Sequence, residues 1–300
     1  MHNNPYTTKF PIRTPQGVEI LPAGVTLHQA TINDLQNLKS NRTFDEYGYN
    51  KKIQKDMEFI FDKPHYDIIF RDKNTRTSVL DKLTFVSYPH CLIEVVEWFK
   101  EYDKYTYNHF LSVYALSTHI FSLLYPQSKE PLGSLFHDIG KCSLPLTILK
   151  KETPLTVKEK EYIKHHTLAG YALVNFFYGK TTSNYADIIA RDHHENKNAT
   201  GYPAGVCLND IKTEIIIACD IYDALLSQRA YRKEAFDNRT ALEELTMQAM
   251  DGVISKEIVQ VLIACNRKNE NSWKKCKVSN DIRGVVPEHN SYGITANEKT

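Results

Sequence analysis

The run His137-Asp138-Ile139-Gly140-Lys141 sets an imidazole and a carboxylate side by side in an apolar stretch. On a helix, neighbouring side chains diverge by about 100°, so such a pair reaches one object on a shared face. A metal ion meets that description, and so does a buried hydrogen-bonded pair. Asp220 raises the same question, because it interrupts the run Ile215-Ile216-Ile217 and precedes Ile221. A carboxylate buried there is costly unless it is paired or holds a metal. The apolar run before it argues against a helix cap. His166 lies on the stripe Tyr162, Ile163, Ala169, Gly170, Leu173 and so faces inward, with His165 off that face. His109, four residues before Val113, is placed similarly. Singly, an inward histidine is more often a hydrogen-bonded core residue than a ligand. The adjacent pair His193 and His194, followed by Glu195, is harder to assign to packing. Neutral imidazole is the commonest protein ligand for transition metals.

Taken together, His109, His137, Asp138, His166, His193, His194 and Asp220 form a mixed nitrogen and oxygen set. That chemistry suits iron, manganese or zinc better than magnesium or calcium. Seven ligands are too many for one ion with open positions and suit two ions. Asp138 is the natural bridge, since its neighbour His137 can hold one ion while its second oxygen reaches the other.

The elements that must position these groups fall into three zones. Residues 1–85 read as a small α/β module. "TPQGVEILPAGVTL" alternates apolar pairs with Pro and Gly turns, predicting a β-hairpin, and Ile32, Leu35 and Leu38 recur at helical spacing. This zone contains none of the seven candidate ligands and is expected to be a regulatory or docking module. It would pack through Phe59, Ile60, Phe61 or Ile68, Ile69, Phe70. Residues 86–265 carry apolar residues at i, i+3 and i+4 in "HCLIEVVEWFKEY", "YNHFLSVYALSTHIFSLLY", "EPLGSLFHDIG" and "VKEKEYIKHHTLAGYALVNFF". They predict an all-α bundle of seven or more helices, one opened by a Thr156/Glu159 capping box. Residues 266–300 lose that periodicity and predict a polar, solvated tail.

Composition narrows the function classes. A net charge of +1 over 300 residues gives no basis for broad binding to nucleic acid polymers or anionic membrane. No stretch approaches the roughly 20 apolar residues of a membrane span. The six cysteines form no Cys-x-x-Cys pair, which fits reduced thiols in a cytoplasm rather than a zinc ribbon.

The motifs "NHFLSV", "FHDIGKCSLPLTIL", "LTVKEKEYIKHHTLAG", "HHENKNATGYPAGV" and "ACDIYDALLSQRAYR" occur in the order of the HD-GYP family, which the chain resembles from His109 to Arg232. The HD doublet alone is moderately specific; the ordered set is highly specific. The resemblance implies an all-α HD-domain fold with a di- or trinuclear metal centre of iron or manganese, and hydrolysis of the bacterial messenger cyclic di-GMP. It implies that the seven residues above are the ligands. Asp138 and Lys141 would be catalytic, with Lys141 near the scissile phosphate, and Arg229, Arg232 and Tyr202 would contact substrate. A diguanylate cyclase docking on the GYP loop, and a homodimer, are further implications. Trinuclear members carry an acid where this chain has Tyr105, so two ions are expected. Members commonly read HHE-R-W-D-G where this chain has Asn196, Lys197, Asn198 and Ala199 after Glu195. That departure keeps open another cyclic dinucleotide as substrate, or a non-catalytic signalling adaptor.

Overall fold

A computed structural model of the chain describes residues 6–38, 44–45, 48–84, 88–128, 133–180, 185–229, 234–268 and 272–288. The N-terminal hairpin pairs β1 (Ile12–Arg13) antiparallel with β2 (Glu19–Leu21). α1 (Gln29–Asn37) follows, burying Ile32 and Leu35. Leu38 caps its C-terminus and is exposed, so it does not join that stripe. β3 (Phe44–Asp45) pairs with β4 (Tyr88–Pro89), and between them run α2 (Gly48–Phe61) and α3 (Lys73–Thr84).

The rest of the described chain is helical: α4 (His90–Tyr102), α5 (Lys104–Leu124), α6 (Leu146–Leu149), α7 (Val157–Lys164), α8 (His166–Tyr178), α9 (Ala186–Asp192), α10 (Ile211–Leu226), α11 (Asn238–Met250) and α12 (Lys256–Cys265). This is the expected all-α bundle with a small N-terminal sheet. α5 is its axis. The Asp103 carboxylate caps its first turn by accepting from the Thr106 N–H at 3.3 Å, and residues on every face of the helix are buried. α10 packs against it and is capped by Asp210, which accepts from the Thr213 N–H at 2.9 Å. A helix apolar on all sides belongs at the centre of a bundle. The Thr156/Glu159 capping box forms as expected. The long helix expected over residues 157–177 is interrupted at His165, dividing it into α7 and α8.

One continuous cluster of buried apolar side chains joins Ile53, Ile60, Phe61 and Phe70 to Phe110, Leu173 and Ile216. Phe59, expected to pack inward, is 63% exposed, because Ile60 and Phe61 occupy the buried face of α2. His165, expected off the buried face, is buried with the edge of its ring against Phe10, since the N-terminal segment covers α7 at this point. Past α12, a short 3-10 turn (Trp273–Lys275) leads to the buried Cys276, whose carbonyl accepts from Gln260 Nε2 at 2.8 Å. Among the described residues no helix is long and apolar enough to cross a membrane.

Candidate metal centre

The expected helix through His137 and Asp138 is instead a pair of 3-10 helices, Gly133–Phe136 and Ile139–Ser143, with the doublet at the joint. Three-residue spacing runs through it: the Ser134 carbonyl accepts from the His137 N–H at 3.3 Å, and the Asp138 carbonyl from the Lys141 N–H at 3.0 Å. The tighter coil allows a close approach to α8. A Cβ on Gly140 would fall 1.9 Å from the His166 carbonyl oxygen, so glycine is required where the two backbones meet.

All seven candidate ligands converge. Asp138, His166, His193 and His194 can each offer a ligand atom within 4.8 Å of the others, as can His109, His137 and Asp138. Asp138 belongs to both groups. Asp220 contacts the second through His109, with its Oδ1 2.9 Å from His109 Nε2. Apart from His194, these side chains are nearly inaccessible to solvent.

Hydrogen bonds settle which imidazole nitrogen is free. His137 Nδ1 lies 2.8 Å from the Ser134 carbonyl, His166 Nδ1 against the Ile163 carbonyl, and His193 Nδ1 3.0 Å from that of Ile189. A carbonyl only accepts, so each Nδ1 carries the proton and each Nε2 a lone pair. Those lone pairs face one another: His166 Nε2 is 3.1 Å from His193 Nε2 and 3.1 Å from Asp138 Oδ1. The second contact has the distance of a hydrogen bond but no proton to make one, and Asp138 Oδ1, like His137 Nε2, is buried without a hydrogen-bond partner. Acceptors held this close repel unless a cation lies among them. The donor set therefore fits divalent metal, and the ordering of each Nδ1 by an acceptor is the usual companion of metal-binding histidine.

Charge is consistent with this. Burial, with His193 and His166 nearby, holds His194 well below the usual histidine pKa and therefore neutral. Burial also lowers that of His166, against the pull of Asp138. For Asp138, burial alone would raise the pKa, but the Lys141 ammonium and His137 outweigh it and keep the carboxylate ionised. Lys141 Nζ donates to Asp138 Oδ2. For His109, burial is outweighed by its bonds to Asp220 and Asp223, taking its pKa up to about 9.

The cluster opens onto a cavity of about 470 Å³ lined by Asp138, Lys141, His166, His194, Tyr202 and Arg229. Tyr202 stacks on His194 with centroids 4.6 Å apart, and the Arg229 guanidinium lies 5.2 Å from the Tyr105 ring centroid. Arg232 lies outside the described residues. Three residues without an assigned role in the sequence also matter. Asp223 accepts from His109 Nδ1 at 2.5 Å, and Tyr66 donates to the same carboxylate. The i, i+3 pairing of Asp220 and Asp223 on one helix face was the available signal for the first; nothing local marks Tyr66. Glu195 accepts from the N–H groups of Gly205 at 3.2 Å and Val206 at 3.1 Å, and so clamps the loop that carries Tyr202.

Residues 125–254 match the family model described as HD domain. The chain's motif order is that of the HD-GYP branch. It is 33% identical over 152 residues to a cyclic di-GMP phosphodiesterase of Pseudomonas aeruginosa, covering 49% of this chain and 36% of that protein. It is 38% identical over 119 residues to the cyclic di-GMP phosphodiesterase response regulator of Xanthomonas campestris, covering 39% and 31%. A 3'3'-cGAMP-specific phosphodiesterase of Vibrio cholerae is 32% identical over 139 residues, covering 43% and 31%. The chain thus spans about a third of the length of these relatives.

Proposed function

We propose that the chain hydrolyses a phosphodiester of cyclic di-GMP to give linear pGpG, using a dinuclear centre of iron or manganese. The observation that carries this reading is the position of Asp138, shared by two histidine groups whose lone pairs converge on it beside an open cavity. His109, His137 and Asp220 would hold one ion, His166, His193 and His194 the other, and Asp138 both. When bound, such a pair supplies an activated water at neutral pH and Lewis-acid stabilisation of the phosphoryl oxygens. The chain's own groups do the rest. Lys141, on the cavity wall, offsets charge growing on phosphorus-bound oxygen. Arg229, with Arg232, orients the diester through charge-assisted hydrogen bonds. The Tyr202 ring offers a surface for a base.

Two ions are favoured over three by the surroundings of His109. The Tyr105 ring stacks on it at 6.0 Å, where an acid would be needed, and the Arg229 cation lies over that ring. A phenol with a pKa of about 10 is a poor ligand at neutral pH. The Vibrio relative supports a second reading, in which 3'3'-cGAMP is the substrate, and Asn196, the first residue of the Asn196–Ala199 departure, lines the same cavity. A diguanylate cyclase docking on the Gly201-Tyr202-Pro203 loop, and a homodimer, are the partners this reading includes.

The test is to purify the full chain anaerobically, measure its metals, and incubate the same sample with cyclic di-GMP and 3'3'-cGAMP. Hydrolysis of cyclic di-GMP supports the first reading and of 3'3'-cGAMP alone the second. Bound metal with neither substrate cleaved overturns both. Arg229→Ala should retain its metal and raise KM, since losing one charge-assisted contact costs about 1.5–3 kcal/mol.

A further inference from the structure

His109 differs from the other candidate ligands in how it is held. Its Nδ1 donates to Asp223 Oδ2 at 2.5 Å, and the other oxygen of Asp223 accepts from the Tyr66 hydroxyl. Ser227 Oγ approaches Oδ2 at only 3.5 Å. Asp223 and Tyr66 are both fully buried, so water does not replace either bond. Tyr66 lies in the turn after α2, 157 residues before Asp223 in the chain and outside the region that matches the HD domain. The same turn carries Lys63, whose ammonium donates to Ser112 Oγ on α5 at 3.0 Å. Phe70 and Tyr222 pack around the Tyr66 ring at centroid distances of 6.2 and 6.4 Å, and Ser112 also hydrogen-bonds its hydroxyl.

We propose that Tyr66 is a positioning residue for the metal centre, which the N-terminal segment thereby completes. Its O–H fixes the Asp223 carboxylate, and Asp223 fixes the tautomer and rotation of His109, so that the Nε2 lone pair points at the space shared with Asp138 and Asp220. A buried tyrosine needed only for packing would be replaced by phenylalanine with no polar group to satisfy. Here the hydroxyl satisfies a carboxylate whose other oxygen orders a ligand. Loss of such an outer partner typically weakens metal binding about 10–100-fold. The inference rests on the reading of His109 as a ligand, but not on the identity of the substrate.

The test is manganese(II) titration calorimetry on the metal-depleted full chain, alongside thermal unfolding, for wild type, Tyr66→Phe and Tyr107→Phe. Tyr107 is the matched control. It is also buried and its hydroxyl donates to Asp56 on α2, bonding the N-terminal segment to α5 without touching His109. Tyr66→Phe should lose about 10–100-fold in manganese affinity at one of the two sites, the one that includes His109, whereas Tyr107→Phe lowers the melting temperature and leaves affinity unchanged. Asp223→Asn should lose a similar factor, and adding Tyr66→Phe to it should cost nothing more. Wild-type affinity in Tyr66→Phe, equal losses in both tyrosine variants, or additive losses in the double variant would each overturn the proposal. Wild-type protein that binds manganese but cleaves no cyclic dinucleotide would instead sink the functional reading and leave this one standing.

Discussion

On one side of Asp138, His166 and His193 anchor Nδ1 on backbone carbonyls three and four residues earlier in the chain. On the other side, His109 is anchored by Asp223, 114 residues later, and Asp223 in turn by Tyr66. The first arrangement is a by-product of helix formation, because a histidine at the end of a turn finds a carbonyl on the preceding one. The second exists only when α5, α10 and the turn after α2 have docked. A metal bound on the first side would be held by locally ordered groups; on the second, His137 is also ordered locally by the Ser134 carbonyl, but His109 depends on the tertiary assembly. The two sides should therefore differ in affinity and in sensitivity to distant substitutions.

The largest expected effect removes the group common to both sides. Asp138→Ala should abolish metal retention and hydrolysis together, as read by elemental analysis and turnover on one preparation. Retention of metal on either side would show that the carboxylate is not shared. Next in size, His193→Ala should empty the locally ordered side and His109→Ala the other. Each should leave one ion's worth of metal, and the ion that remains in His109→Ala should be the tighter. Total loss in both variants would mean that the sides do not bind independently.

A smaller effect concerns the loop beside His194. Ala199 has φ +61°, in the left-handed region, at the position where HD-GYP sequences commonly have glycine. That conformation costs an L-residue about 1–2 kcal/mol, partly offset by the lower unfolded-state entropy of alanine, so Ala199→Gly should stabilise by about 0.5–1 kcal/mol in urea unfolding. An unchanged midpoint would show that the loop relaxes without help. Its neighbour Gly201 has no such freedom. A Cβ there would lie 2.3 Å from the His194 carbonyl oxygen.

The smallest effect belongs to a local device with no share in the centre. The Lys151 ammonium and the Thr156 N–H hold the Glu159 carboxyl down at about 2. A lowered carboxylate pKa stabilises the fold above the unfolded value near 4.5 and loses that contribution as pH falls toward 2. Wild type should therefore be slightly more stable than Glu159→Gln at pH 6, and the difference should shrink between pH 4.5 and 2. A difference that persists unchanged across that interval would exclude the carboxylate as its source.

Much of the helical fold could be read from the chain because periodicity, caps and turn residues act over a few positions. Thr156 and Glu159 announced α7, and the apolar spacing in "HCLIEVVEWFKEY" announced α4. The same holds for the convergence of His109, His137, Asp138, His166, His193, His194 and Asp220. Polar groups at inward positions of apolar helices must find one another or a cation, whatever the route of the chain. What the sequence left open was every feature that depends on close approach between distant segments. The HD segment is a 3-10 joint whose Gly140 meets the His166 carbonyl, Phe10 of the N-terminal segment packs on His165, and Tyr66 reaches Asp223. Periodicity assigns a side chain to a face, but only packing decides which atom it meets there.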